Sequence, residues 1–262
     1  MNLSSFQNVL WIVGTALKLV LCALVFGRGL HRRLPLFGLY VALVVMDDFA
    51  VRWTYHHWGY TSDMARRVYW SSLGVVLFAR GLAVAELCWT SLRNSSAIWS
   101  ITRRWMALLS LAMLAYAGIA AAKNSSPMIA FLLTVERSLD LGISVILVAL
   151  LRLGLRYKVL LGGIERRVVL GFSVYSTFQI VNNSFMKQWI MKYFQWWVSA
   201  SVVSFEVAML IWIAPLLRPL PPLAPPPILL SEETSVTLLT QIVEQMRRIV
   251  EELKRLGKSR WK

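Results

Sequence analysis

The sequence predicts an all-α polytopic membrane protein: a seven-transmembrane-helix bundle, N-terminus out and C-terminus in, with a C-terminal cytoplasmic amphipathic, coiled-coil-like helix. Three observations predict it. The 262 residues are 57% hydrophobic and 16% charged, whereas a soluble domain is about 25% charged. Seven apolar runs are each long enough for a membrane helix, and the basic residues gather on alternate sides of those runs.

A hydrocarbon core of about 30 Å takes roughly twenty apolar helical residues, and lipid-exposed backbone must be helical or in a closed barrel. Runs at 7–27, 35–54, 68–92, 104–122, 127–151, 166–186 and 196–217 meet the helical requirement and are too long for barrel strands. Arg28 to Arg33 closes the first, Pro35 opens the second, Lys123-Asn124-Ser125-Ser126-Pro127 separates the fourth from the fifth, and Gly162-Gly163 precedes the sixth. The weakest boundary is at Arg103-Arg104. Met1 to Asn8 has no basic n-region and the first run contains Lys18, so that run reads as a retained helix.

Arg28, Arg32, Arg33, Arg93, Arg103, Arg104, Arg152, Arg156, Lys158, Arg166, Arg167 and Arg218 fall on one side. Only Arg52, Arg66, Arg67, Lys123, Lys187 and Lys192 fall on the other. The positive-inside rule makes the first set cytoplasmic. A net charge of +15 would suggest nucleic acid in a soluble chain. Interleaved with apolar runs, it points to lipid headgroups instead, so the bilayer is the expected partner and nucleic acid is not. The outer ends are aromatic: Trp53, Tyr55, Trp58, Tyr60, Tyr69 and Trp70 on one hairpin, Trp189, Tyr193, Phe194, Trp196 and Trp197 on another. They make either an interfacial belt or a ligand pocket.

The predicted organisation is a transmembrane domain at 1–218, a Pro-rich linker at 219–230 and a cytoplasmic amphipathic helix at 231–262. Nine residues from Pro219 to Pro227 hold six prolines, which stiffen the linker. Leu239, Ile242, Met246, Ile249, Leu253 and Leu256 then recur at spacings of three and four, as in an oligomer seam. Val236, Val243 and Val250 broaden that face, so it suits a second copy, a cytoplasmic partner or the membrane surface.

Ionisable and polar residues at membrane depth form a candidate midplane network: Lys18, Asp47, Asp48, Arg80, Glu86, Glu136, Arg137, Asp140, Gln179, Asn182 and Glu206, with Asn183 beside them. Each charge at the bilayer centre costs roughly 2.5 kcal/mol or more, so such residues turn inward and find partners. Asp48 and Arg52 are spaced i,i+4, Arg137 and Asp140 i,i+3, and Glu136 shares a face with Asp140. Two acids on one face imply a proton on one of them, or pairing to Lys18 or Arg80. The network is therefore a proton or cation relay, or a set of salt bridges that fixes helix packing. Gly74, Gly81, Ala85 and Cys88 give the third run a small-residue face that suits a central helix.

No catalytic, cofactor or metal motif is read. His56 and His57 are adjacent rather than i,i+4, and no Walker A, Gly-x-Ser-x-Gly or dinucleotide fingerprint occurs. Cys22 and Cys88 lie inside apolar runs and define no disulfide framework. A retinal protein would need a lysine in the seventh run, which has Glu206 and no lysine.

Arg32-Arg33-Leu34-Pro35-Leu36-Phe37, Tyr69-Trp70, Glu136-Arg137-Ser138 and Gly171-Phe172 resemble uncharacterised seven-span membrane proteins of the acidobacterial type. The resemblance covers the spans and not the tail. It implies the topology and a bacterial inner membrane, and no activity. The expected function is a receptor or sensor acting through its tail helix. The rival is a transporter or proton-coupled permease built on Glu136, Asp140, Glu206 and Lys18, with a membrane enzyme third.

Overall fold

The computed structural model describes residues 5–59, 62–92, 96–123, 127–157 and 163–218, with side chains outside 5–8, 96–98, 101, 149, 151–157 and 182–198. The linker, the tail helix and its predicted seam from Leu239 to Leu256 lie outside the described residues, as does the side chain of Asn182. Among the described residues the chain is all-helical: α1 (Ser5–Gly27), α2 (Leu30–Arg33), α3 (Pro35–Trp58), α4 (Asp63–Leu92), α5 (Ser96–Ala122), α6 (Pro127–Tyr157) and α7 (Gly163–Leu216).

Among the described residues, four helical stretches are long and apolar enough to cross a membrane: Val9–Gly27, Asp63–Leu92, Thr102–Ala122 and Ser199–Leu216. α3 and α6 have the length, at 24 and 31 residues. Asp47, Asp48 and Arg52 lie in the C-terminal half of α3, and Glu136, Arg137 and Asp140 in the N-terminal half of α6.

The turn from α1 to α3 is made by glycine. Arg28 N–H donates to the Leu24 carbonyl at 2.9 Å, and Gly29 takes the left-handed conformation at φ 72°, which costs a residue with a Cβ. The single turn of α2 follows. Leu34 leaves the helical conformation at φ −131° and ψ 74° ahead of Pro35, which occupies the first turn of α3, as the ring's fixed φ allows. Gly38 lets α2 lie on that first turn: a Cβ there would stand 3.0 Å from His31 Cβ. α3 ends at Gly59, φ 77°, whose N–H closes on the Tyr55 carbonyl. Ser62 caps α4 by accepting the Ala65 N–H at 3.1 Å.

Two boundaries differ from the sequence expectation. α5 begins at Ser96, so Arg103 and Arg104 lie inside it. A helix tolerates two arginines near its end because their long stems carry the charge to the interface. The sixth and seventh predicted runs fall in one unbroken helical stretch of 54 residues, α7. That stretch nevertheless doubles back. Trp212 Nε1–H donates to the Val168 carbonyl at 3.1 Å, the Tyr175 and Phe205 rings lie 5.2 Å apart, and Gln179 Nε2–H donates to Ser201 Oγ at 2.7 Å. These pairings are antiparallel and centre near residue 190, so the stretch is a hairpin of two helical arms that turns near that position.

α4 is the central helix, touching α3, α5, α6 and α7, while α1 packs on α3 and α7, and α5 chiefly on α6. The small face of α4 meets α6, with Gly74 against Leu132 and Gly81 against Leu139. The core is aromatic where α3 meets the α7 hairpin: Phe37 stands edge-on to Trp212 at 5.4 Å and to Phe172 at 6.0 Å. Such contacts contribute about 0.5–1.5 kcal/mol each beyond burial. Gly171 makes this possible, because a Cβ there would fall on the Trp212 indole.

Candidate functional site

The predicted midplane residues occupy three places. The first is the junction of α3, α4, α6 and the first arm of α7. Arg80 Nη2 lies 3.0 Å from Asp140 Oδ1, with 4% and 0% of the two side chains exposed. The guanidinium sits over the Tyr175 ring at 5.4 Å, and Tyr40 and Glu136 are its other electrostatic neighbours. Ser176 stands beside the Asp140 carboxylate. The approach is oblique: neither Asp140 oxygen, nor Arg80 Nε or Nη2, has an aligned hydrogen bond, and the Ser144 and Ser176 hydroxyls are likewise unmatched. A bidentate fork would lock the pair. Here charge alone holds it.

The second place joins α1, α3 and the second arm of α7. Lys18 Nζ lies 2.7 Å from Asp48 Oδ1, and the Thr15 hydroxyl donates to Asp48 Oδ2 at 2.6 Å. Lys18 and Thr15 share a face of α1 because they are three residues apart. Glu206 reaches in from α7 over Gly14, whose Cβ, if present, would stand 3.2 Å from Glu206 Oε1. Asp47 lies near Ser72 of α4, whose hydroxyl donates to the Tyr69 carbonyl at 3.1 Å.

The third place is the start of α3. Glu86 of α4 accepts the backbone N–H groups of Leu36 at 3.0 Å and Phe37 at 2.9 Å. The first N–H groups of a helix have no partner inside it, and its N-terminus carries partial positive charge. Leu34 offers no side-chain cap, so the carboxylate of a neighbouring helix supplies one.

The acids pair across helices rather than along a single helix, and Arg80, which takes Asp140, is one of the two cations the sequence offered to that face. Asp48 pairs with Lys18 rather than with Arg52, which lies over the Trp11 ring at 4.2 Å. Asp140 pairs with Arg80 rather than with Arg137, which is exposed on α6. In both cases a cation on another helix reaches the acid's buried side, which the i,i+3 or i,i+4 cation does not. Gln179 serves the α7 hairpin. Thr15, Tyr40, Tyr175 and Ser176 belong to these sites and are not among the predicted residues. Thr15 could have been found by its spacing from Lys18. Glu86's role could have been found from Pro35 opening a helix with no Ser, Thr, Asp or Asn before it. At the predicted outer end, Trp53, Trp58 and Tyr69 are exposed, and Trp53 packs on His57 at 4.8 Å.

Comparison with protein-family models, with curated proteins and with solved structures gives no match for the chain.

Proposed function

We infer that the chain is a seven-span inner-membrane protein of receptor or sensor type, N-terminus outside, that transmits a change in its bundle to the cytoplasmic segment after Arg218. The observation that carries this reading is the Arg80–Asp140 pair. Four helical segments meet on one buried ion pair that distance holds and hydrogen-bond alignment does not. A buried pair is poor as a stabilising device, since desolvation offsets most of its attraction. It is effective at favouring one helix arrangement over another, and a switch needs such a bistable element.

The span count rests on length and polarity. α3 and α6 would run ~36 Å and ~46 Å at about 1.5 Å per residue, and Asp48 of one and Asp140 of the other pair with cations of neighbouring helices. The hairpin in α7 supplies the sixth and seventh spans. Arg28 reaches the Leu217 carbonyl at 3.4 Å, which brings Arg28 and Arg218 to one end of the bundle. The positive-inside rule makes that end cytoplasmic.

A proton-coupled permease is the second reading. One observation favours it: Asp47 and Glu136 both neighbour Tyr69 of α4, and Glu136 neighbours Arg80. Titratable groups thus lead from the Lys18 site to the Arg80 site. The experiment uses the full chain in proteoliposomes, with Cys22 and Cys88 replaced by serine and a single cysteine at Ser231. On the signalling reading, Asp140→Asn changes the maleimide labelling rate at position 231 several-fold and a pH-sensitive dye inside the vesicles detects no flux. Unchanged labelling together with a proton flux that Glu136→Gln and Asp140→Asn abolish would give the chain to transport.

A further inference from the structure

Around Lys18 the charges do not cancel. Both oxygens of Asp48 are used, one by the Lys18 ammonium and the other by the Thr15 hydroxyl. Two more carboxyls share the neighbourhood. Asp47 follows α3 toward Ser72, with Lys18 and Asp48 as its charged neighbours. Glu206 enters from α7 with 9% exposure. Its Oε1 is buried without a hydrogen-bond partner and rests over Gly14, one turn of α1 from Lys18. Lys18 is the charged group that acts on it. Arg52, one turn beyond Asp48, is drawn away over Trp11. One ammonium therefore faces three acids inside an apolar bundle.

An unpaired carboxylate in such surroundings is too costly to keep, and the group binds a cation or a proton instead. A metal ion needs several oxygen ligands around it. Glu206 Oε1 lies over Gly14, and among the described residues no three acids, histidines or cysteines gather closely enough to hold an ion. A proton needs one lone pair. The geometry points to Glu206 as a proton-binding site of the membrane bundle, occupied while Lys18 is seated on Asp48. Binding forms the O–H bond of a neutral acid with a proton from water, and release returns the carboxylate.

The release has a mechanical consequence. Lys18 carries its charge on a flexible four-carbon stem, and a cavity of about 10 Å³ beside it, bounded by Tyr40, Phe205, Met209 and Trp212, is about the size of one water. When Glu206 ionises, the ammonium has two seats, one on α3 and one on α7. A proton at Glu206 thus decides which neighbour α1 is tied to.

The test is infrared spectroscopy of the full chain in lipid nanodiscs, reading the carbonyl band of protonated carboxylic acids. Glu206→Gln is expected to remove one band component. Asp48→Asn frees Lys18 to pair with Glu206, ionises it and is expected to remove the same component. Gly14→Ala presses on Oε1 and should shift that component without deleting it, which gives a readout even where Glu206→Gln does not fold. A carboxylic-acid region unchanged by Gly14→Ala and by Glu206→Gln would overturn the proposal. So would a Glu206 that is ionised at neutral pH in sodium and takes up a proton only when sodium is replaced by an organic cation, since a metal ion would then be its occupant.

Discussion

Gln179 and Ser201 are joined by a 2.7 Å hydrogen bond although 22 residues separate them in a single helical stretch. A straight helix would hold them ~33 Å apart. Cysteines at these two positions, in a chain whose Cys22 and Cys88 are serines, should therefore crosslink rapidly under mild oxidation. A chain that stays reduced while retaining its helical content would mean that the two arms of α7 do not pack together.

The contact between Gly171 and Trp212 predicts a second outcome. Gly171→Ala places a methyl against the indole, and overpacking of this kind costs about 1–3 kcal/mol. Trp212→Phe makes room but removes the donor to the Val168 carbonyl. The double variant should be more stable than the sum of the two losses predicts. Thermal unfolding in nanodiscs, followed by thiol labelling of the fully buried Cys88, measures this, and strictly additive losses would argue against the contact.

For Arg80 and Asp140, removing either charge alone strands the other, at a cost of about 3–5 kcal/mol. Arg80→Met with Asp140→Leu should cost much less than either single change. The same labelling assay provides the comparison. A double variant as unstable as the worse single one would show that the pair does not act as a unit.

Glu86→Ala leaves two N–H groups of α3 without an acceptor, at about 1–3 kcal/mol for each buried group. Glu86→Gln keeps one carbonyl oxygen and should lose about half as much. Equal losses would mean that Glu86 fills space rather than capping the helix.

The helices were legible in the sequence because hydropathy and turn residues act locally. Pro35, Gly59 and Pro127 stand where the chain changes direction. The α7 bend was legible as two apolar runs but not as continuous helix, since no proline or glycine interrupts 172–214. The acids at membrane depth were visible individually. Lys18 and Arg80 were visible as candidate cations, but which acid each takes was not, because Asp48 and Asp140 are matched across 30 and 60 positions of chain by helix packing, which residue spacing along one helix does not encode. Glu86 read as one more midplane charge, although its purpose lies fifty residues away at Leu36.

That last distance bears on how the protein is made. The first turn of α3 leaves the ribosome long before Glu86 has been synthesised, and Leu34 gives it no substitute. Until α4 arrives, the turn holds exposed N–H groups that lipid does not satisfy. On the seven-span topology proposed above, biosynthesis favours keeping the start of α3 in water or in the insertion machinery until α4 joins it, so that the two helices would enter the bilayer as a pair.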